Sequence, residues 1–375
     1  MKKEVLIILS LLIVFACCSI QREPPEFFIS ELEKIKSIWA PDKRTSVFDI
    51  NYFYEEGKWT IQGETTIAEA QNAVAGLVQK AFLTENFHLD FKLLPSIEFG
   101  DTTNALVNVS VGNLRRSPTH SSELVDQVLL GMSVKLIKAK SDWYLVQTPT
   151  DYLGWITRGS ITRLSNDELN NWKVLKKYVL MSNYEQIFSK PSEDSQVVSD
   201  LVLGSVFIKL SNAKHWMEIK LPDGRTGYVN GRNVKSYQEP DKIISPDRNR
   251  LVERAKTMMG IPYMWGGNST KALDCSGYTG TVFRTEGIRL PRDASMQENL
   301  GDEVIPDINY GNVLPADLIF FGPPNQITHV GISLGGSYFI HASGDVHISS
   351  LDENDELFSP SRKKTLRTIK RIIKN

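Results

Sequence analysis

The chain has 375 residues, of which 41% are hydrophobic and 23% are charged. This length exceeds that of one typical domain, so we expect about two to four compact units of ordinary globular composition. A formal net charge of −1 gives no electrostatic reason to expect nucleic acid or an anionic surface as the main partner.

The first residues predict export. A basic start, "MKK", precedes an apolar run from Val5 to Ala16, which is too short to span a bilayer comfortably. The cysteine after "VFA" is typical of a bacterial lipoprotein signal over residues 1–17 with Cys17 acylated, although the Phe two positions before it matches imperfectly. We therefore expect an extracytoplasmic protein, periplasmic or on the cell exterior, that a lipid anchor holds at a membrane. Plain secretion and an uncleaved anchor are the alternatives.

Residues 20–102 carry two helical patterns. The stretches "PPEFFISELEKIKSIWAPD" and "TTIAEAQNAVAGLVQKAFLTEN" place apolar side chains near the period of an α-helix. We predict a helical N-terminal segment that packs on the following part of the chain and carries no visible chemistry.

The middle of the chain contains an internal repeat. At an offset of 73 residues, Trp143 aligns with Trp216, and short strand-like runs between Gly, Asp and Pro recur in both copies. Such spacing predicts two small all-β barrels, at residues 103–165 and 175–238. Through "NLRRSP", "LGWI" and "TGYV", the barrels resemble the bacterial Src-homology-3-like barrels of cell-wall proteins.

A further domain is predicted over residues 245–375. Ser245 is typical of a helix N-cap, Pro246 of the first helical position and Asp247 of an acidic first turn. Gly260 is typical of the residue that ends such a helix.

Cys275 is the only cysteine beyond residue 18 and lies in "LDCSGYTGTVFRTEG". Tyr278, Val282 and Phe283 mark one face of a helix that begins at or near this cysteine. The unsatisfied N–H groups and positive dipole end of such a helix favour the nucleophilic thiolate. An inert buried cysteine is the alternative, and it would more often lie in the middle of a helix.

Two histidines are candidates for the base. His329 and His341 each lie in a strand-like run, and the Gly-Gly between the runs predicts neighbouring strands. One histidine could pair with the thiolate as imidazolium and later protonate a leaving amine, while the other fixes its orientation. Core histidines bonded to the backbone are an alternative, and a zinc site is disfavoured because no closely paired ligands appear. His347 is predicted to be a surface or structural residue.

These motifs resemble the NlpC-type cysteine peptidase family over residues 245–375, through "PYMWGG", "LDCSGYTGTVF", "LPRDASMQ", "PADLIFFG", "THVGISLG" and "YFIHASG". The resemblance implies an α+β protein whose papain-like catalytic domain follows two barrels and a helical segment. It also implies Cys275 as nucleophile, His329 as base and His341 as orienting residue. The whole architecture resembles the γ-D-glutamyl-L-diamino-acid peptidases, which cleave muropeptides after an L-Ala-γ-D-Glu unit with a free N-terminus.

The resemblance implies further site residues. Tyr263 matches a position whose hydroxyl helps the nucleophile's backbone N–H stabilise the oxyanion, with a core tyrosine as the alternative. Asp274 would receive the α-amine of the substrate, cap the helix, or do both. Ser276, Trp265 and Ser295 match substrate-pocket positions, with packing as the alternative for Trp265.

In enzymes with this architecture the first barrel closes the cleft around the L-Ala. Glu123 and Tyr152 lie where residues that read the amine are expected, and the second copy has Gln196 and Arg225 at the matching positions. A barrel that closes the cleft in this way would make the enzyme release dipeptides.

Other polar residues are assigned to structure. Arg292 and Asp293 are expected to fix a loop. The basic C-terminal stretch "SRKKTLRTIKRIIKN" is predicted to be an edge strand or short helix with its basic face outward, and a membrane contact is the alternative.

The working hypothesis is hydrolysis of the γ-D-Glu–diamino acid bond of peptidoglycan-derived peptides, in peptidoglycan turnover or recycling. No metal, organic cofactor or nucleic acid is implied, and a monomer is expected. An amidase or acyltransferase on the same fold is one alternative. A non-catalytic wall-binding lipoprotein is the other, and the Cys-His-His set argues against it.

Overall fold

The computed structural model describes residues 22–238 and 245–374. The predicted signal at residues 1–17, with Cys17, lies outside the described residues. The chain forms two compact units, the first ending at Leu93 and the second beginning at Leu94. In the described part of the chain, no helix is long and apolar enough to cross a membrane.

The first unit combines two helices with a three-stranded sheet. Its elements in chain order are α1 (Glu26–Trp39), β1 (Phe48–Glu55), β2 (Lys58–Thr65), α2 (Ala68–Ala81) and β3 (Phe87–Leu93). Strand β1 pairs antiparallel with β2, and β3 lies parallel to β2 after the crossover through α2.

The predicted helical segment over residues 20–102 does contain two helices where the helical patterns lie, but it also contains three strands that were not predicted. Along β1, partly buried and exposed residues alternate, which is the period of a strand. The aromatic residues of "FDINYFYE" favour a strand and are the signal that the helical interpretation overlooks. Helices and sheet share one core that contains Phe28, Trp59 and Phe82.

The second unit begins with the first barrel. Its strands are β4 (Asn104–Val107), β5 (Val111–Arg115), β6 (Leu124–Leu129), β7 (Ser133–Lys140), β8 (Trp143–Gln147), β9 (Leu153–Thr157) and β10 (Ile161–Leu164). They form one seven-stranded sheet in the order β10-β4-β7-β8-β9-β5-β6. The core inside it includes Leu114, Val128 and Val146.

A capped helix leads to the second barrel. The elements are α3 (Asn166–Val174), β11 (Lys177–Leu180), β12 (Tyr184–Phe188), β13 (Val197–Val202), β14 (Val206–Ala213), β15 (Trp216–Lys220), β16 (Thr226–Asn230) and β17 (Val234–Ser236). The sheet order β13-β12-β16-β15-β14-β11-β17 repeats that of the first barrel, and each strand begins 73 residues after its counterpart. The backbone N–H of Val206 donates to Leu130 O at 2.8 Å, and Leu130 packs in the core of the second barrel.

The C-terminal domain places helices against a six-stranded sheet. Its elements are α4 (Arg248–Lys256), β18 (Asn268–Ser269), β19 (Ala272–Leu273), α5 (Cys275–Arg284), α6 (Ala294–Gln297), β20 (Asp302–Glu303), β21 (Leu318–Phe321), β22 (His329–Gly335), β23 (Tyr338–Ser343), β24 (Asp345–Ser350), α7 (Pro360–Thr365) and β25 (Leu366–Arg371). The large sheet has the order β20-β25-β21-β22-β23-β24, and α5 packs on β22 and β23. The buried face of α5 carries Tyr278, Val282 and Phe283, as the helical pattern predicts.

Two local predictions in this domain need correction. The N-cap of α4 is Asp247, whose Oδ1 accepts from Arg250 N at 2.8 Å, and not Ser245. The C-terminal stretch forms both a short helix and a strand, and the strand β25 lies between β20 and β21. It is fixed by Arg371, which forms an ion pair of 2.7 Å with the fully buried Asp317.

Candidate active site

The helix that carries Cys275 begins at that residue. Asp274 is its N-cap, and Asp274 Oδ1 accepts from Gly277 N at 2.7 Å. A Cβ on Gly277 would lie 2.0 Å from Gly267 O, so only glycine allows the helix to approach this turn so closely. The sequence Asp-Cys-Ser-Gly thus fixes the position of the cysteine through a cap and a close backbone contact.

The thiol of Cys275 is enclosed, with the residue 7% exposed. Burial, followed by the charge of Asp274, raises the pKa of the thiol to about 11. The backbone N–H of Val330, the charge of Arg292 and the backbone N–H of Ser276 lower the pKa of the thiol and offset this rise only in part. Desolvation by burial is the largest of these contributions, and a pKa of about 11 makes the resting group a thiol at neutral pH.

The two histidines form a hydrogen-bonded pair on adjacent strands. His329 begins β22 and His341 lies on β23, and His329 Nε2 and His341 Nδ1 are 2.8 Å apart. His341 Nε2 shares a second hydrogen bond, of 3.1 Å, with Ser349 Oγ. Burial lowers the pKa of His329 to about 3 and that of His341 to about 2, so both rings are neutral near pH 7. The neutral His329 can accept a proton.

A third histidine extends this pair. The ring of His347, on β24, lies 4.5 Å from the ring of His341 at an interplanar angle of 61°, and its Nδ1 lies 2.9 Å from Asp345 Oδ1. The sequence predicts only a surface or structural role for His347. The contact between the two rings arises from the register of β24 against β23, which pairs His347 with His341.

Tyr263 lies on the segment that leads to the cysteine helix. Its backbone N–H donates to Gly344 O at 2.8 Å, next to the end of β23. Burial, followed by the charge of Cys275, raises the pKa of the phenol to about 12. The hydroxyl therefore keeps its proton at neutral pH and remains a donor beside Cys275.

An arginine occupies the space behind the nucleophile. Arg292 Nη1 donates to Asp274 Oδ1 at 3.1 Å and to Ser276 Oγ at 3.1 Å. Its Nε lies 2.8 Å from Asp126 Oδ1 as an ion pair, without the alignment of a hydrogen bond. The side chains of Arg292 and Asp126 are each 2% exposed. Asp274 and Ser276, which the sequence places in the substrate pocket, thus direct their side chains to this buried cluster.

The first barrel holds the turn that precedes the cysteine helix. Gln127 Oε1 accepts from Asn268 N at 3.0 Å and from Ser269 Oγ at 2.9 Å. Asn268 Nδ2 also donates to Asp126 Oδ1 at 2.9 Å. Strand β6 therefore contacts the polypeptide a few residues before Cys275.

The barrel residues singled out in the sequence meet the C-terminal domain. Trp265 Nε1 donates to Glu123 Oε1 at 2.8 Å, and Glu123 also forms an ion pair of 2.6 Å with Arg116. Tyr152 OH donates to Asp293 Oδ2 at 3.2 Å. The Trp265 side chain is not packed in a core, since the residue is 64% exposed. We call Glu123, Tyr152, Trp265 and Asp293 the barrel wall.

Ser295 lies on α6, directly beyond this wall, and is partly exposed. The same short helix is fixed to the cysteine helix by Gln297, whose Nε2 donates to Ser276 O at 3.1 Å and whose Oε1 accepts from Thr279 Oγ1 at 2.8 Å. Gln297 carries no sequence signal of this role, because the contact joins residues 21 positions apart.

Comparison with known proteins identifies the domain. Residues 260–361 match the NlpC/P60 family, and residues 114–161 match the family described as bacterial dipeptidyl-peptidase Sh3 domain. The chain contains an NlpC/P60 domain. Its NlpC/P60 domain includes Cys275, His329 and His341.

The chain is also similar to characterised relatives over more than half of its length. It is 28% identical to dipeptidyl-peptidase 6 of Lysinibacillus sphaericus, over 71% of this chain and 98% of the relative. It is also 28% identical to gamma-D-glutamyl-L-lysine dipeptidyl-peptidase of Bacillus cereus, over 60% of this chain and 68% of the relative. A solved NlpC/P60 family protein from Bacillus cereus has the same fold, with a TM-score of 0.61 at 23% identity over 72% of this chain and 99% of that one. The NlpC/P60 domain and its peptidase relatives make this protein a cysteine peptidase.

Proposed function

We propose that this NlpC/P60 peptidase hydrolyses the γ-D-Glu–diamino acid amide of peptidoglycan-derived peptides with a free N-terminus, and releases L-Ala-D-Glu. The observation that carries the proposal is the barrel wall, in which Glu123 of the first barrel and Asp293 of the NlpC/P60 domain place two carboxylates where the two domains meet. A free α-amine is a cation that such a wall suits. The names dipeptidyl-peptidase 6 and gamma-D-glutamyl-L-lysine dipeptidyl-peptidase, borne by relatives, support the substrate class.

In the first half of the reaction, Cys275 Sγ adds to the γ-carbonyl carbon while its proton passes to His329. The oxyanion receives hydrogen bonds from the Tyr263 hydroxyl and the Cys275 backbone N–H, which lies in the first turn of α5 and needs no intrahelical acceptor. The C–N bond then breaks, the proton passes from His329 to the leaving nitrogen, and a thioester remains.

In the second half, water gives a proton to His329 and adds to the thioester carbon. The C–S bond breaks, the sulfur regains the proton from His329, and L-Ala-D-Glu leaves with a new carboxylate. His341 fixes the orientation of His329 through the bond of 2.8 Å between their rings. Because both resting groups are neutral, the proton leaves the sulfur as the C–S bond forms.

The sequence names Asp274, Glu123 and Tyr152 as residues that could receive or read the amine. Both oxygens of Asp274 already accept hydrogen bonds, Oδ1 from Gly277 and Oδ2 from Gly266, and both contact Arg292. Its charge is therefore compensated inside the protein. The same holds for Glu123, which pairs with Arg116 and accepts from Trp265. Compensation by internal partners therefore does not separate the candidates, and we propose that Asp274, Glu123 and Asp293 together face the amine, with Tyr152 orienting Asp293 through its hydroxyl.

The test uses protein lacking residues 1–18 with L-Ala-γ-D-Glu-diaminopimelate, its L-Lys counterpart and N-acetylated copies of both. We expect L-Ala-D-Glu, identified by mass, from the free peptides alone and none with Cys275→Ala. Glu123→Gln and Asp293→Asn should each lower kcat/KM on free peptides about 10- to 100-fold, as loss of a charge-assisted hydrogen bond does. The control is Glu193→Gln, an exposed carboxylate of the second barrel.

Two outcomes would count against the proposal. Equal cleavage of free and acetylated peptides would remove the role given to the barrel wall. Transfer of the acyl group to an added amine at the expense of hydrolysis would favour the acyltransferase alternative.

We further propose that the protein is exported by residues 1–17 and anchored through lipid on Cys17, and that it acts as a monomer. An extracytoplasmic location matches a substrate derived from peptidoglycan. Mass spectrometry of the mature N-terminus tests the lipid, and Cys17→Ser should move the protein from the membrane fraction to the soluble one. Light scattering tests the monomer.

A further inference from the structure

A guanidinium beside the site takes no part in the steps above. Arg362 lies on α7 and is partly buried. Its Nη2 donates to Ser343 Oγ at 3.2 Å, and its guanidinium carbon lies 5.6 Å from the centre of the Phe321 ring. The Phe321 ring lies 5.8 Å from the ring of His329, which is its partner across the strands β21 and β22. Arg362 and His329 thus share one aromatic neighbour.

This cation has no carboxylate partner within the residues that the structure describes. No Asp or Glu of residues 22–238 or 245–374 lies within 4.0 Å of its nitrogens. Arg248 and Arg371 of the same domain both pair with Asp317, and Arg250 pairs with Glu286. Burial lowers the pKa of Arg362, and the groups whose charges it meets are Cys275 and Tyr263.

A partly desolvated cation without an anion is costly unless a ligand supplies one. The surroundings of Arg362 are an aromatic face and a hydroxyl, and both leave the planar guanidinium fork available to a carboxylate. The sequence predicts that the basic face of this stretch points outward. Nothing in a run of lysines and arginines shows which member turns toward the site.

We propose that Arg362 binds the α-carboxylate of the amino acid that leaves, an inference that rests on the proposed function. In that amino acid the leaving nitrogen and the carboxylate are attached to the same carbon, so they lie within about 4 Å of each other. His329 delivers its proton to that nitrogen, and Arg362 contacts the Phe321 ring that is also a neighbour of His329. The carboxylate of the leaving residue is therefore the anion that must come to this part of the cleft.

The consequence is a specificity for short peptides. A tripeptide ending in the diamino acid presents a free carboxylate to Arg362, whereas a peptide extended at that position presents an uncharged amide. The enzyme then recognises both ends of its substrate. It binds the N-terminal amine through the barrel wall and the C-terminal carboxylate through Arg362.

The experiment compares L-Ala-γ-D-Glu-L-Lys, its C-terminal carboxamide and an analogue with D-isoglutamine in place of D-Glu. Wild-type protein should cleave the free acid with a kcat/KM about 10- to 100-fold above that of the carboxamide, mainly through KM. Arg362→Gln should lose this advantage and cleave the carboxamide as the wild type does. Arg362→Lys should keep part of it. The matched control is Lys364→Gln, on the exposed side of the same helix.

Several results would overturn the inference. One is that Arg362→Gln lowers kcat/KM equally on the free acid and on the carboxamide. Another is that Arg362→Gln lowers kcat/KM only on peptides that keep the D-Glu carboxylate. Equal cleavage of acid and carboxamide by the wild type removes this inference alone, and it does not require a folded variant. Failure of the wild type to cleave any of the three peptides removes the proposed function and this inference with it.

Discussion

The buried cluster of Arg292, Asp126 and Asp274 allows a sharp prediction about stability. One cation faces two carboxylates, and one of these, Asp126, belongs to strand β6 of the first barrel. Burial opposes the charge of Arg292, but Asp274 and Asp126 outweigh it and raise its pKa. Arg292→Met would leave two buried carboxylates without a cation. Removing one partner of a buried ion pair costs about 3–5 kcal/mol, and we expect a loss at the upper end of that range.

Asp126→Asn should behave differently. The cluster carries one negative charge in excess, and burial raises the pKa of Asp126 despite Arg292 and the hydrogen bond from Asn268. An asparagine keeps an acceptor for Asn268 and leaves the Arg292–Asp274 pair intact. We expect a change in unfolding free energy within about 1 kcal/mol, as for a neutral hydrogen bond.

The pH dependence follows from the direction of the pKa shift. Because the folded-state pKa of Asp126 is raised, its contribution to stability is greatest when the group is protonated and falls as pH rises through that pKa. The wild type should therefore lose stability relative to Asp126→Asn as pH rises from acid to neutral. In the Asp126→Asn variant that component of the pH dependence disappears.

Calorimetry at pH 5 and pH 7.5 measures these differences on the protein lacking residues 1–18. For a unit of this size about 1 kcal/mol corresponds to roughly 2–4 °C in Tm, so Arg292→Met should lower Tm by roughly 8–20 °C. Lys256→Met, which removes an exposed pair of 3.0 Å with Glu253, should change Tm by only a few degrees. A small effect of Arg292→Met, or an equal effect of Asp126→Asn, would refute the charge-balance argument.

Three further outcomes are expected. Since burial lowers the pKa of His329 to about 3, the acidic limb of kcat/KM should lie well below pH 6.5, and a limb centred at pH 6 or above would contradict this lowered pKa. His341→Ala should lower kcat about 10²- to 10⁴-fold with little change in KM, because it removes the partner that orients His329; steady-state kinetics would show a matching rise in KM if His341 only shaped the pocket. Gly277→Ala should destabilise the fold because its Cβ would meet Gly267 O, whereas Gly280→Ala, with nothing within 4 Å, should stabilise by about 0.5–1 kcal/mol in thermal unfolding.

The sequence predicted the elements whose signals are local. The repeat placed both barrels because Trp and Gly anchors recur at a constant offset, and the pattern after Cys275 placed its helix. The Gly-Gly turn put His329 and His341 on adjacent strands, where they share a hydrogen bond. The partner of Asp274 could not be predicted in this way, since Arg292 reaches it across 18 positions through a fold whose packing no local pattern encodes. The same limit applies to His347 and Arg362.

The duplicated barrel separates what the fold requires from what the site requires. At the offset of 73 residues, the hydrophobic and glycine anchors match, while Asp126 aligns with Ser199, Glu123 with Gln196 and Tyr152 with Arg225. A seven-stranded barrel with the same strand order forms without these three residues, so they are not needed for its folding.

In the first copy, each of these three residues contacts the C-terminal domain: Asp126 pairs with Arg292, Glu123 bonds Trp265 and Tyr152 bonds Asp293. In the second copy, Arg225 pairs with Asp223 of its own barrel and donates to Asn108 O of the first. The differences between the copies therefore lie where the first barrel meets the NlpC/P60 domain. That distribution is expected if one copy became part of the substrate site while the other kept a structural role.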